Sequence, residues 1–111
     1  MTNPAPGDVL VVDDNPANLQ LLESILHERG YSVRGALSGR VALRAARSRL
    51  PDIVLLDIRM PEMTGFEVCR ELQTDERLRA VPVIFISAAT DPEDKVRAFR
   101  EGGRDYVTKP F

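Results

Sequence analysis

Asp13 and Asp14 stand side by side at the end of the apolar run Val9-Leu10-Val11-Val12, and Asp57 ends a second such run, Ile53-Val54-Leu55-Leu56. Ser87 follows Val83-Ile84-Phe85-Ile86, and Lys109 lies just beyond Tyr106-Val107. Each apolar segment stops at a ligating or reactive group. Two carboxylates about 4 Å apart repel by roughly 4 kcal/mol at an effective dielectric near 20. Adding Asp57 raises that cost, so a cation is expected among them. Hard oxygen ligands with room for water suit Mg2+, which takes one or two carboxylates and keeps several waters. An aspartate carboxylate is also a nucleophile that can form an aspartyl-phosphate. Mg2+ and the Lys109 ammonium together balance the charge of Asp13, Asp14 and Asp57, so the set would accept a phosphoryl group only with the metal in place.

Each residue also has a plainer reading. An acidic pair suits the start of a helix, where the macrodipole favours negative charge. Asp57 suits a turn after a strand, Ser87 a strand-end hydroxyl, and Lys109 a solvated surface. Singly these residues say little; their recurrence at successive segment ends is what points to a site. In an open parallel sheet, ligands bind outside the carboxyl ends of the strands.

The elements that would position them read as alternating strands and helices. Val9 to Val12 is a continuous apolar run, as in a strand buried on both faces. Asn15 offers a helix N-cap with Pro16 at the first helical position. Leu19, Leu22, Ile25 and Leu26 form a stripe at helical spacing, and Gly30 stops the helix. Ser32 to Ala36 reads as a weaker, edge strand. Ser38 caps a second helix through about Arg49, with Ala42, Ala45 and Ala46 facing inward, and Pro51 breaks it. Ile53 to Leu56 is the most apolar run and reads as central. After a loop from Asp57 to Thr64, Gly65 opens a third helix with Phe66, Cys69 and Leu72 inward. Pro82 precedes the third apolar run. Thr90 or Asp91 caps a fourth helix with Pro92 near its start. That helix is mostly charged, and only Val96, Ala98 and Phe99 look able to pack, which predicts low local stability. Gly102-Gly103 ends it, and Asp105 to Val107 forms a short last strand. Right-handed crossovers between such units build a doubly wound parallel sheet.

Length and composition fit one compact domain: 111 residues, 43% apolar. The net charge of −2 gives no field that would attract nucleic acid. One cysteine, Cys69, excludes an internal disulfide and reads as a small core residue. His27, among Glu23, Glu28 and Arg29, reads as solvated. No apolar stretch approaches the roughly 20 residues needed to span a bilayer. Residues 1–7 lack the charged and apolar parts of a signal peptide and read as a disordered lead. A cytoplasmic location is the default expectation.

Taken together, Val11-Val12-Asp13-Asp14-Asn15, Leu55-Leu56-Asp57-Ile58-Arg59-Met60-Pro61-Glu62-Met63-Thr64-Gly65, Ile86-Ser87-Ala88 and Tyr106-Val107-Thr108-Lys109-Pro110-Phe111 resemble the receiver domain of two-component response regulators. The resemblance spans residues 8–111. It implies an α/β, flavodoxin-like, doubly wound five-stranded parallel sheet in the order 2-1-3-4-5. The fifth helix usual after Lys-Pro-Phe is lacking, which suggests a domain truncated at its C-terminus, with an output domain removed. The sheet face this leaves uncovered and the Tyr106–Phe111 edge are expected to form an exposed apolar patch, at which the chain self-associates as a homodimer or swaps elements. No binding to nucleic acid or membrane is expected of this segment.

The resemblance also implies roles. Asp57 would accept a phosphoryl group from a histidine kinase or phosphotransfer protein. Asp14, Asp57 and the Arg59 backbone carbonyl would hold Mg2+, with Asp13 acting through water. Lys109 would pair with one phosphoryl oxygen and Ser87 would hydrogen-bond another. A cis Lys109–Pro110 bond would aim the lysine. Tyr106 would turn inward when Ser87 moves, relaying the change to the fourth helix and last strand; alternatively, its ring merely covers that strand. Arg59 and Ala89 occupy positions that tune phosphoryl lifetime, and Arg59 either shields the acyl phosphate or points to solvent. The first helix and the Ser87 and Lys109 loops would dock the kinase. Such a protein is a regulator with self-phosphorylation and autodephosphorylation chemistry, not a metabolic enzyme. Two alternatives stand beside this reading. A haloacid-dehalogenase-type phosphatase also uses a strand-end aspartate with Mg2+, but wants a second aspartate where Arg59 stands. A pseudo-receiver would only bind partners, against which the complete acidic set argues.

Overall fold

The structure, a computed structural model, describes residues 7–87 and 92–109. The expectations placed on the lead at 1–6, on Ala89, on the caps Thr90 and Asp91, and on the Lys109–Pro110 bond concern residues outside this range.

Five strands alternate with helices: β1 (Asp8–Val12), α1 (Pro16–Glu28), β2 (Ser32–Ala36), α2 (Gly39–Ser48), β3 (Ile53–Asp57), α3 (Gly65–Thr74), β4 (Val83–Ser87), α4 (Pro92–Arg100) and β5 (Asp105–Thr108). All pair in parallel, in the order β2-β1-β3-β4-β5. This is the flavodoxin-like arrangement, with β1 and β3 central and β2 at an edge. The reversal of strand order between β1 and β3 marks the switch point where open α/β sheets place their sites.

Local chemistry accounts for the boundaries. The Asn15 side chain accepts from the N–H groups of Ala17 and Asn18, and Pro16 begins α1. At the other end Gly30 takes φ 90°, its N–H donates to His27, and the N–H of Tyr31 donates to Leu26. That pair of bonds closes the helix in the way a left-handed glycine permits. Ser38 caps α2 through the Val41 N–H. Thr64 and Glu67 cap α3 reciprocally, each side chain accepting from the other's backbone N–H.

The sheet separates two cores. The larger lies under α2, α3 and α4 and includes Leu10, Val12, Val54, Leu56, Phe66, Cys69 and Phe85. The smaller lies under α1, with Val9, Val11, Leu19, Leu22 and Ile86 buried. Leu43 and Val68 add to the larger core, beyond the inward residues read from sequence. Ile25 does not join the smaller one: Leu26 is half-buried there, and Ile25 is exposed on the solvent side of α1. On this α1 face Ile53, Leu55 and Ile84 are only half-buried and Val107 is 41% exposed.

The fourth helix departs most from expectation. Val96 and Phe99 are 56% and 46% exposed, and only Ala98 of the three is buried. The inward face carries Asp94, Arg97, Ala98 and, just past the helix, Glu101, spaced as one helical stripe. Arg97 lies over the Phe66 ring, 4.3 Å from its centroid. Glu101 pairs with Arg70 of α3, and its carbonyl accepts from Cys69 Sγ at 3.3 Å. Ionic and cation–π contacts thus add to the little apolar packing that α4 makes.

Candidate functional site

The parallel register brings the candidate residues to one edge. Val12 pairs with Leu56, Asp57 with Ile86, and Ser87 with Thr108, so Asp13, Asp57, Ser87 and Lys109 all lie at the carboxyl ends of neighbouring strands. Asp13, Asp57 and Ser87 are buried, and Asp14 is the most open of the acids. One oxygen from each of Asp13, Asp14 and Asp57 falls within 4.8 Å of the others.

Lys109 closes the cluster from the β5 side. Its Nζ lies 2.8 Å from Asp13 Oδ2 and 3.5 Å from Asp57 Oδ1. The lysine is positioned by the backbone, since its N–H donates to the Ser87 carbonyl at 2.8 Å. Asp13 Oδ1 accepts from the Asn15 N–H at 2.9 Å, which ties the acid to the start of α1. Asp13 Oδ2 is buried and, although ion-paired, has no partner in hydrogen-bond geometry among the described residues. A buried carboxylate oxygen left in this state fits a water or cation partner.

The charges act on one another. Burial, followed by repulsion from Asp13, pushes the Asp57 carboxyl up to about 7; Lys109 pulls in the other direction, and Asp14 adds to the rise. Burial alone would depress the Lys109 ammonium, but Asp13 and Asp57 outweigh it and hold it above its ordinary value. The donor set therefore suits a divalent cation: hard oxygens, an excess of negative charge and one acid open to solvent. Asp13, Asp14 and Asp57 could each offer one oxygen to it.

The loop after β3 is built around Asp57. The Ile58 N–H donates to Ile86, and the Gly65 N–H donates back to Ile58. A Cβ on Gly65 would collide with the Asp57 carbonyl oxygen, so only glycine lets α3 start this close to the strand end. Between them Glu62 takes φ 67°, and the Met63 N–H donates to the Pro61 carbonyl at 2.7 Å. That is a tight turn in a region non-glycine residues rarely occupy.

The Arg59 side chain is 61% exposed, as one of its two readings has it, but it is not free in solvent. Its side chain turns to α4, where Nη2 donates to Asp94 Oδ1 at 2.8 Å and Oδ2 at 2.6 Å. Asp94 is itself buried. Nothing local in the sequence signals this pair, whose members lie 35 residues apart. Tyr106 is half-buried, pairs in register with Phe85 and packs against the larger core, on the α4 side of the sheet. Cys69 is buried in the same core, and burial raises its thiol, so it is an inert structural residue. His27 lies on the exposed side of α1.

Comparison with known proteins agrees with this arrangement. The family profile described as "Response regulator receiver domain" matches residues 9–111. The chain is 45% identical over 103 residues to the response regulator PleD of Caulobacter vibrioides, covering 93% of this chain and 23% of PleD. It is 48% identical to the transcriptional regulatory protein KdpE of Mycobacterium tuberculosis, covering 93% of this chain and 44% of KdpE. With protein PilH of Pseudomonas aeruginosa the identity is 40%, over 92% of this chain and 84% of PilH. The chain thus spans less than half of PleD and KdpE but most of PilH. Among solved structures, the chemotaxis protein CheY4 of Vibrio cholerae superposes with a TM-score of 0.89 at 33% identity, covering 94% of this chain and 87% of that one. The receiver domain of sensor histidine kinase PA1611 from Pseudomonas aeruginosa, a structure with a magnesium ion coordinated in the active-site cleft, gives 0.87 at 34%, covering 95% and 86%. The family match over residues 9–111 and the 2-1-3-4-5 sheet are those of a regulatory signalling domain, and this chain belongs to the response regulator receiver domain family.

Proposed function

We propose that the domain is a phosphorylation-dependent switch whose acceptor is Asp57. A histidine kinase or phosphotransfer protein is the donor. The bond from phosphorus to the donor's imidazole nitrogen breaks, and a bond to an Asp57 oxygen forms. The observation that carries the reading is the Lys109 ammonium placed between Asp13 and Asp57, at the edge where the three carboxylates meet.

Each residue has a part in that step. Asp57, held at about 7 by burial and its acidic neighbours, acts as the nucleophile in its ionised form. Asp14, Asp57 and the Arg59 carbonyl would hold Mg2+, with Asp13 acting through water, and the ion would supply charge to offset the phosphoryl oxygens. Lys109 is near enough to Asp57 to pair with one phosphoryl oxygen, and Ser87, at the end of β4, is the candidate to hydrogen-bond another. Movement of the Ser87 hydroxyl toward the phosphoryl group would open space for the Tyr106 ring and carry the change to α4 and β5. The same acid set supports acceptance from small phosphodonors and slow self-hydrolysis. Pairing of two copies over the half-covered Ile53–Leu55–Ile84–Val107 face belongs to the same reading, and sedimentation at rising concentration tests it.

Incubation with phosphoramidate and Mg2+ tests the function. A mass gain of one phosphoryl group that disappears with a chelator, and in Asp57→Asn, is the expected result. Multiple turnover of phosphomonoesters would point instead to the phosphatase alternative, which Arg59, tied to Asp94, does not favour.

A further inference from the structure

We propose that Asp94 is a positioning residue that governs the lifetime of the phosphoryl group by tying the Arg59 guanidinium to α4, away from the phosphoryl oxygens. The inference rests on the assignment of Asp57 as acceptor.

Arg59 is two residues beyond Asp57, and Ile58 between them is fully buried. Its side chain is 61% exposed and so has freedom to move, whereas the Asp94 carboxylate is 9% exposed and fixed on α4. The contact uses Nη2 for both carboxylate oxygens, not the matched fork of two nitrogens to two oxygens. The guanidinium therefore keeps donors in hand for a second anion. A phosphoryl group on Asp57 would bring about two negative charges to a position two residues from Arg59, and arginine is the side chain whose geometry suits such oxygens. Arg59 is then shared between two anions: the buried carboxylate that holds it and the phosphoryl group that attracts it.

The direction of the effect follows from the reaction. Hydrolysis breaks the bond from phosphorus to the Asp57 oxygen; water supplies the new oxygen, the carboxylate is restored, and water's protons go to inorganic phosphate and solvent. In a loose transition state the bridging charge moves onto the leaving carboxylate, and water must approach in line on the opposite side of phosphorus. A guanidinium drawn onto the outer oxygens and lying over that side covers the path of the attacking water and slows hydrolysis. Asp94 draws the guanidinium away, so it shortens the lifetime. The same competition loosens the first turn of α4 when Asp57 is phosphorylated.

The test measures loss of label from protein phosphorylated with phosphoramidate and Mg2+, in the wild type, Asp94→Asn, Asp94→Glu, Arg59→Ala and Asp94→Asn with Arg59→Ala. Asp94→Asn is expected to lengthen the lifetime about three- to tenfold, as a coupling of the size found between contacting side chains would do. Asp94→Glu should return it toward the wild-type value. In the Arg59→Ala background the Asn substitution should have no further effect, which a merely structural role for Asp94 would not produce. Equal lifetimes in wild type and Asp94→Asn, or an undiminished Asn effect without Arg59, would overturn the proposal while leaving Asp57 as the acceptor. Failure of the wild type to take label at Asp57 would overturn both.

Discussion

The Lys109 ammonium lies 2.8 Å from Asp13 Oδ2, an ion pair between the ends of β5 and β1 across the two strands that separate them. Among the described residues it is the cation that faces the acidic edge. Removing it leaves Asp13 buried without a counter-ion. Lys109→Met should cost about 1–3 kcal/mol of stability, less than a fully buried pair because the site is partly open. It should also raise the Asp57 carboxyl further and slow labelling by about a hundredfold, the scale of losing one stabilising donor. Denaturant unfolding and a timed labelling assay check the two parts.

The raised Asp57 carboxyl makes metal-free stability depend on pH. Its ordinary value is 3.8 and its folded value about 7. Between these the folded protein holds the proton and the unfolded chain has released it, so stability falls as pH rises. The loss begins near the ordinary value and is complete above the folded one, and amounts to on the order of 2–4 kcal/mol. Chelator-treated wild type should lose this increment between about pH 4 and 7, and Asp57→Asn should not. A flat profile for the wild type, or the same slope in the variant, would contradict the assignment.

A divalent cation should reverse that penalty. At a hundredfold excess over its dissociation constant, Mg2+ should stabilise the fold by about 2.7 kcal/mol. The shift in melting temperature should vanish in Asp14→Asn and in Asp57→Asn and persist in His27→Ala, whose side chain lies away from the acids.

The fold was legible where structure is local. The apolar runs of β1, β3 and β4, the Asn15–Pro16 start and the Gly30 stop of α1, and the Ser38 cap all depend on residues a few positions apart. The polar ends of those runs could be matched to one sheet edge because parallel topology forces them together. The α4 contacts were not legible: Asp94, Arg97 and Glu101 look like a solvated charge run until Arg59, Phe66 and Arg70 are brought opposite them. Arg34 is a second case. In the middle of edge strand β2 it pairs with Asp8 and donates to the carbonyls of Ala45 and Arg49 at 2.8 Å, tying the end of α2 to the sheet. Ile25 shows the reverse error, since an apolar residue at helical spacing need not face the core when a neighbour already fills it.

Gly65 offers a test of how tightly α3 must approach the end of β3 at Asp57. Gly65→Ala should destabilise the protein by about 2–4 kcal/mol, because the added methyl meets the backbone at Asp57 and not a side chain that can move aside. It should also weaken Mg2+ binding, as the loop carrying Arg59 shifts. Thermal unfolding with and without the metal reads both; a change within about 0.5 kcal/mol, the scale of an ordinary surface substitution, would mean that the helix start gives way freely.

The most direct measurement maps the phosphoryl group itself. Protein labelled with phosphoramidate and Mg2+ is reduced with borohydride, which converts an acyl phosphate to an alcohol, and its peptides are weighed. The reduced residue is expected at position 57 alone. Modification at Asp13 or Asp14 with Asp57 untouched would contradict the assignment of the acceptor.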